Sequence, residues 1–310
     1  VQVLKNNSGF ITELVDEDQY YQYIDYIEEC KANFDDSKKV KLLSKYIDYS
    51  KAKIIEEEEN DLDQIYQKGL NYLQGNDVPV DKYQASRYLK EAADKGHVLA
   101  MHYYANLLIE KDTKTDNQEA ARYLKMSADK GNTDSMFLYG LILTGCEGVD
   151  VDKKEASRYF KMSADKGNIK SSYFYGKMLF EGDGVEADKK EGIKYIKDAA
   201  DKGQIESQFF YALKLDNGDG VEIDLKEAAR YYKMAADNGN ESSMLNYGIM
   251  LDKGEGIEVD KKEAARYFKM AADKGNVSSM AIYALCLDKG EGVEVDKKEA
   301  ARYFKMAADK

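Results

Sequence analysis

Apolar and polar residues follow a helical period in residues 260–275, and the same arrangement returns along most of the chain. Apolar side chains recur there at i, i+3, i+4 and i+7, which places them on one stripe of a helix. The predicted buried stripe consists of Ala264, Tyr267, Phe268 and Ala271. The predicted solvent face consists of Lys262, Arg266, Lys269 and Asp273. The pattern therefore predicts an amphipathic α-helix that needs a neighbour to cover its stripe, with charged residues that serve mainly as a solvated face.

Both ends of this helix carry recognisable signals. Asp260 and Glu263 form a predicted capping box. In such a box the aspartate side chain accepts hydrogen bonds from free backbone N–H groups of the first turn, and the glutamate side chain accepts one from the N–H of the aspartate. Gly275 supplies the left-handed turn that ends the helix, and Asn276 links onward. The sequence thus predicts a single helix between Asp260 and Gly275.

The closing glycine shows that this helix is part of a repeat. It recurs as Gly96, Gly131, Gly167, Gly203, Gly239 and Gly275, with one spacing of 35 residues and four of 36. A period in this range is typical of helix-turn-helix solenoids. We count seven units from about residue 61, and the last stops at Lys310, where the next glycine would follow. Because the sequence also begins with Val1 rather than Met, we expect it to be part of a longer protein.

The partner helix of each unit is less uniform. In residues 133–152 its predicted inner stripe is Met136, Tyr139, Gly140 and Leu143. A glycine or alanine follows the tyrosine in the later units too, and a small residue there lets two helices approach closely. The loop to the next helix, such as residues 288–296, contains glycines that allow positive φ and a valine that we expect to turn back into the core.

Composition narrows the possible partners. The chain has 310 residues, of which 58 are acidic and 46 basic, and its net charge is −12. Such a field repels a phosphate backbone, and no basic patch opposes it, so we predict no nucleic-acid partner. No apolar run approaches the roughly 20 residues that span a bilayer, and no signal peptide opens the chain. An odd number of cysteines (Cys30, Cys146, Cys286) without a C-x-x-C pair favours a reducing compartment, so the predicted location is the cytoplasm.

Candidate chemical sites are few. Residues 216–224, DNGDGVEID, resemble a calcium loop, but no register places a glycine sixth after a first aspartate. The only histidines, His97 and His102, fit a turn and a helix surface better than a metal site or a catalytic base. Cys286 lies in a helix where other units carry Ile or Met, which favours packing over nucleophilic chemistry. We therefore predict no catalytic residue, no metal and no cofactor.

At this level of detail the units resemble a known family. Y-G-x-x-L, a G-x-G-V loop, a D-x-x-E-A cap and a closing A-A-D-K-G-N are similar to the Sel-one-like repeat, a relative of the tetratricopeptide repeat, over residues 61–310. The resemblance implies an all-α, right-handed α-solenoid whose concave face binds other proteins as a scaffold or adaptor. Some bacterial relatives pin each unit with a cysteine pair, and some were once described as β-lactamases. No unit here has such a pair, so the disulfides do not carry over and a hydrolase is a remote alternative.

Candidate partner-binding residues lie on the first helix of each unit, opposite its buried stripe. One series is Tyr103, Leu138, Phe174, Phe210, Asn246 and Ile282, and the adjacent series is Asn106, Leu141, Lys177, Leu213, Ile249 and Leu285. A continuous row of exposed apolar residues would form a groove for a protein or peptide. Contacts between units would consume the same residues, so both interpretations stay open. The polar residues that break the series, Asn246 and Lys177, favour the groove.

Residues 1–60 lack the repeat and are predicted to form a separate N-terminal helical segment, placed to cap the array. Their opening, VQVLKNN followed by F-I-x-E-x-V-D, also resembles the last helix of a tyrosine-kinase-like serine/threonine kinase domain, which some unicellular eukaryotes join to Sel-one-like repeats. This resemblance implies an alternative function as the substrate-recruiting or regulatory C-terminal region of a multidomain kinase. The H-R-D, D-F-G and V-A-I-K strings are absent, so this sequence would not phosphorylate a substrate by itself.

Overall fold

A computed structural model of the protein describes residues 61–310, which form α-helices joined by loops and contain no β-strand. The predicted N-terminal cap and the kinase-like segment, residues 1–60, lie outside the described residues. The chain divides into two compact units, Val1–His97 and Val98–Lys310. In the first unit the described helices are α1 (residues 61–74) and α2 (Lys82–Asp94).

Within the second unit, helices that follow one another along the chain pack against each other. These helices are α3 (Val98–Ile109), α4 (Lys114–Asp129), α5 (Thr133–Leu143), α6 (Lys153–Asp165), α7 (Ile169–Glu181), α8 (Lys189–Asp201), α9 (Ile205–Asn217), α10 (Leu225–Asp237), α11 (Glu241–Lys253), α12 (Lys261–Asp273), α13 (Val277–Lys289) and α14 (Lys297–Ala308). We call the odd-numbered helices A helices and the even-numbered ones B helices. Residues 61–310 thus contain seven A–B pairs, and the predicted all-α repeat solenoid is confirmed.

The start of the B helices is half of the predicted capping box. In α12 the Asp260 carboxylate accepts the N–H of Glu263 at 2.9 Å. The predicted return bond is wrong, because the Asp260 N–H donates to the carbonyl of Leu251 and the Glu263 carboxylate accepts from Arg266 at 2.5 and 2.8 Å. The N–H of Asp260 already has a hydrogen-bond acceptor, the carbonyl of Leu251, so the Glu263 side chain pairs with Arg266 on its own helix instead.

The start of most A helices is an asparagine cap that the sequence analysis missed. The side chains of Asn132, Asn168, Asn240 and Asn276 each accept the N–H of the serine three residues later. Asn276, described above only as a link, therefore begins α13. The glycine before it, Gly275, has a φ of 105°, which confirms the left-handed turn at the end of the preceding helix.

The hydrophobic core runs between the A and B helices. All four residues of the predicted stripe, Ala264, Tyr267, Phe268 and Ala271, are at most 2% exposed. Ala265 and Ala272 are buried as well, because α12 is covered by both α11 and α13. The close approach predicted at the small residue is also confirmed, since a Cβ on Gly248 would lie 2.6 Å from Cε1 of Phe268.

Candidate interaction surface

From α4 onward, a polar contact joins each B helix to the next and uses the charged residues of the repeated phrase. The hydroxyl of Tyr267 donates to Oδ1 of Asp237 at 2.6 Å, and Nζ of Lys233 donates to Oδ2 of the same carboxylate at 2.6 Å. The contact recurs from Tyr159 to Asp129 at 2.5 Å and is longest, 3.5 Å, for the hydroxyl of Tyr195. The aspartate of the phrase is thus solvent-exposed and also binds the next unit, and the lysine pairs with that aspartate, which goes beyond the predicted solvated face.

Aromatic and cationic groups surround the same tyrosine. The Tyr247 ring meets the Tyr267 ring edge-on, with centroids 4.9 Å apart and an interplanar angle of 88°. The Arg266 guanidinium lies 4.3 Å from the centroid of the Tyr267 ring. Burial, together with the hydrogen bond to Asp237, raises the pKa of Tyr267 to about 12, so it remains a hydroxyl donor at neutral pH.

The glycine loops bring successive units into backbone contact. Gly292 has a φ of 75°, and a Cβ there would lie 2.0 Å from the carbonyl oxygen of Lys261 in the preceding unit. Between other units, Nζ of Lys189 lies 2.7 Å from the carboxylate of Asp219 across the same contact. Val293 is packed against the core, as predicted for the loop valine. Loops and B helices together therefore hold the stack rigid enough to present a surface.

The aromatic residues of the predicted partner-binding row are partly consumed by contacts between units. The Phe174 ring stacks on Phe160 of the preceding unit, with centroids 5.3 Å apart, and also meets Phe137 at 5.7 Å. The Phe210 ring meets Phe180 edge-on at 5.6 Å. Phe174 and Phe210 nevertheless remain partly exposed. Each ring thus supports the neighbouring unit with one side and leaves another side accessible.

Asn246 has a structural reason to be polar. The residue it faces in the preceding unit is Tyr232, where other units carry phenylalanine, isoleucine or leucine, and the polar Asn246 side chain lowers the pKa of the Tyr232 hydroxyl. That hydroxyl also lies 3.5 Å from Asp216. Burial raises the pKa of Tyr232, so its O–H stays protonated and needs polar neighbours. The break in the apolar row at this point is explained without a ligand.

The remaining predicted residues differ in how far they are exposed. Leu285 is 44% exposed. Nζ of Lys177 lies 3.8 Å from Glu181, a weak pair on one helix. Partly buried are Tyr103, Leu138, Leu141, Leu213, Ile249 and Ile282. Of these, Leu141, Ile249 and Ile282 pack against the core, whereas Leu213 is outside the core clusters.

An open cleft of about 420 Å³ lies between the start of α7 and the first turns of α5. Leu138 lines it, as does its neighbour Phe137, together with Ile169 and Lys170. Nζ of Lys170 lies 6.0 Å from the Phe137 ring centroid. The sequence analysis missed Phe137 and Lys170; the signal for Phe137 is that it immediately precedes a predicted residue on the same helix.

The two candidate chemical side chains of Val98–Lys310 are embedded in the helix contacts. His102, predicted at a helix surface, is instead partly buried, with Nδ1 3.1 Å from Oγ of Ser135 and Nε2 3.0 Å from Nδ2 of Asn106. Burial lowers the pKa of His102. Cys286 is 7% exposed, and burial raises its pKa, as expected for a packing residue. Residues 61–310 hold no group of three or more His, Cys, Asp or Glu side chains placed to bind a metal ion.

Within the same span, every helix is too short or too polar to cross a bilayer.

Comparison with known proteins identifies the repeat. The family model for the Sel1 repeat matches seven consecutive segments, residues 66–97, 98–132, 133–168, 169–204, 205–240, 242–276 and 277–310. Each segment covers one B helix and all or most of one A helix. No curated protein sequence matches the chain.

Two solved bacterial structures are similar to this fold. The c5321 protein, a protective antigen present in uropathogenic Escherichia coli strains and displaying an SLR fold, superposes with a TM-score of 0.75 and 24% identity over 82% of this chain. This chain spans 55% of the length of c5321. A Sel1 repeat protein from Oxalobacter formigenes superposes with a TM-score of 0.65 and 23% identity, over 78% of this chain and 96% of its own. At these identities the likeness concerns the fold alone.

Proposed function

The chain belongs to the Sel1 repeat family, and we propose that it works as a non-catalytic scaffold or adaptor for a protein or peptide partner. Proteins of this family are generally protein-interaction scaffolds. The excess of acidic residues argues against a nucleic acid as the partner. Cys146 and Cys286 are free thiols, which supports a cytoplasmic location.

The proposed binding site is the A-helix face. It consists of Tyr103, Leu138, Leu141, Phe174, Lys177, Phe210, Leu213, Asn246, Ile249, Ile282 and Leu285. The observation that carries the proposal is that these side chains stay partly or fully exposed on successive A helices, whereas the repeated apolar stripe of the B helices is buried. Apolar side chains held on rigid helices provide contact area with little loss of entropy on binding.

The variant that tests this face has to leave the stack intact. Substituting Phe174 or Phe210 with a charged residue would place that charge among stacked rings between units. Lys177→Glu together with Leu213→Ser changes the face instead, because Lys177 is held only by a weak pair and Leu213 lies outside the core clusters. The matched control, Lys262→Glu with Met162→Ser, makes similar chemical changes at exposed positions of B helices.

The experiment is affinity capture from cell lysate, followed by titration of the purified captured protein against each variant. We expect the face variant to weaken binding at least about tenfold, or about 1.4 kcal/mol, and the control variant to bind like the unchanged protein. Circular dichroism and thermal unfolding establish that both variants keep their helices. Equal affinity of the face variant and the unchanged protein would exclude the A-helix face as the binding site.

A further inference from the structure

Four β-branched aliphatic side chains protrude from equivalent places in the glycine loops. They are Val151, Ile223, Val259 and Val295, with exposures of 58%, 64%, 57% and 56%. These are the four most exposed large apolar side chains of Val98–Lys310, and each directly precedes the aspartate that caps a B helix. We call this set the aliphatic edge. Exposure at one register in several units indicates a surface with a common use rather than scattered apolar residues.

Local structure explains why these side chains are ordered, but not why they are apolar and exposed. One methyl of Val259 covers the glycine that ends α11, since a Cβ on Gly254 would lie 2.8 Å from Cγ2 of Val259. Ile257, two residues earlier, packs against the core instead. Residues two apart would share one face of a regular extended strand, so the loop departs from that geometry where it turns Val259 outward. Threonine at the outward position would cover the glycine equally well.

Three of the outward side chains, Ile223, Val259 and Val295, lie in consecutive units, whereas Ala187 separates Val151 from them. A Cβ on Gly256 would lie 2.3 Å from the carbonyl oxygen of Leu225, and one on Gly292 would lie 2.0 Å from that of Lys261. Each loop therefore rests on the start of the preceding B helix, two residues beyond the aliphatic side chain of that unit. Because each loop touches the backbone of the preceding unit, we expect neighbouring members of the edge to be separated by about the distance between packed helices, 8–10 Å.

The charge of the edge is negative. Glu222, Glu258 and Glu294 directly precede Ile223, Val259 and Val295, and none of the three forms an ion pair with a described residue. Residues 216–227 carry five acidic side chains and one lysine, Lys226. In the next two loops Lys262 and Lys298 hold the place of Lys226, and the acidic residues still outnumber the basic ones. Such a surface repels nucleic acids and anionic membranes and attracts a cationic partner.

We propose that the aliphatic edge binds a cationic amphipathic helix of a partner protein, with an apolar residue at every seventh position. Seven residues of an α-helix rise about 10.5 Å, which matches the spacing of about 10 Å between loops. Lying along the edge, such a helix places one apolar side chain over each of Ile223, Val259 and Val295. Basic residues beside them face Glu222, Glu258 and Glu294.

This surface is separate from the A-helix face, because its members come from the loops between A and B helices. The probe is a synthetic peptide of about three heptads, with leucine at every seventh position and lysine flanking each leucine. Its control has the same composition with the leucines moved out of register. We expect the full chain to bind the first peptide at least about tenfold more tightly than the second.

The matched protein variant is Ile223→Thr with Val259→Thr and Val295→Thr. Threonine keeps the branched shape over the glycine, so thermal unfolding is expected to stay unchanged while peptide affinity falls at least about tenfold. The variant Lys177→Glu, Leu213→Ser is expected to bind this peptide normally, which separates this proposal from the A-helix face. No binding of the in-register peptide, equal binding of both peptides, or full affinity in the threonine variant would overturn the proposal.

A second variant tests the charge. Glu222→Gln, Glu258→Gln and Glu294→Gln together should lower the affinity and reduce its dependence on salt, because three carboxylates no longer face the lysines. Unchanged affinity and unchanged salt dependence in this variant would overturn the choice of a cationic partner.

Discussion

Replacing a buried serine by alanine is expected to have opposite effects at two equivalent positions, Ser171 and Ser243. Both side chains are fully buried. The hydroxyl of Ser171 donates to Oγ of Ser163 at 2.8 Å, and that of Ser163 donates to the carbonyl of Thr133 at 2.9 Å. Two units later Ala235 stands in place of Ser163, and the hydroxyl of Ser243 has no hydrogen-bond partner.

The expected magnitudes follow from this difference. Ser171→Ala removes a satisfied hydrogen bond worth about 1 kcal/mol, so it should lower the free energy of unfolding. Ser243→Ala removes an unsatisfied buried hydroxyl, which costs about 1–3 kcal/mol, so it should raise the free energy of unfolding. Alanine has a better helix propensity than serine by roughly 0.5 kcal/mol, but this gain is common to both variants and cancels in the comparison. The two variants should therefore differ by about 2–4 kcal/mol.

The reverse substitution, Ala235→Ser, gives an independent check. Its hydroxyl would accept from Ser243 and donate to the carbonyl of Ile205, by analogy with the pair formed by Ser163 and Ser171. Two new hydrogen bonds, less the lower helix propensity of serine, should stabilise this part of the array by about 1 kcal/mol.

Amide hydrogen exchange is the suitable assay, because stability in a repeat array is a sum of local and nearest-neighbour contributions. Exchange in α6 and α7 should quicken in Ser171→Ala, and exchange in α10 and α11 should slow in Ser243→Ala. Changes of the same sign and size at both positions would refute the argument that hydroxyl partners decide the effect.

Three further predictions address the contacts between units. Tyr267→Phe should lower the free energy of unfolding by about 1 kcal/mol, because the Tyr267 hydroxyl lies 2.6 Å from its accepting aspartate. Tyr195→Phe should lower it by clearly less, because the Tyr195 hydroxyl lies 3.5 Å from its aspartate. Equal losses of the two variants in chemical denaturation would contradict this. Gly292→Ala should lower the melting temperature more than Gly167→Ala, since both glycines have positive φ but only the first would bring a Cβ against a backbone oxygen. Burial lowers the pKa of His102 below its usual 6.5. The unfolded chain therefore binds this proton more readily than the folded protein, so the free energy of unfolding should fall as the pH drops below about 6.5. In thermal scans between about pH 8 and pH 5, the melting temperature of His102→Gln should vary less with pH than that of the unchanged protein.

The fold was predictable because every unit repeats the same local signals. The position of Gly275, the stripe through Tyr267 and Phe268 and the small residue at Gly248 each follow from spacing alone. Contacts that cross from one unit to the next were less accessible. The bond from Tyr267 to Asp237 joins residues 30 positions apart, and in the sequence each looked like an ordinary member of its own amphipathic helix. The return bond of the capping box failed for a similar reason, since the loop before Asp260 competes for its N–H.

The candidate site was predictable as a helix face but not in its details. Periodicity identified the positions that hold Phe174 and Asn246, because they lie opposite the buried stripe. It could not show that each of these side chains packs against the B helix of the preceding unit. That packing explains why a polar residue, Asn246, faces Tyr232. Nor could periodicity separate the inward Ile257 from the outward Val259, because a period of two places residues two apart on the same face.

The two surfaces differ in how they would select a partner. On the A-helix face, neighbouring units carry different side chains, such as Lys177 in one and Leu213 in the next. A partner that fits these side chains would therefore bind in one register only. The aliphatic edge presents nearly the same group in its last three loops, so a heptad helix shifted by one unit, about 10 Å, would meet equivalent contacts there. A long cationic helix should therefore bind the edge in several registers with little change in energy. Specificity would then come from the A-helix face, and the edge would add affinity to a partner already selected there.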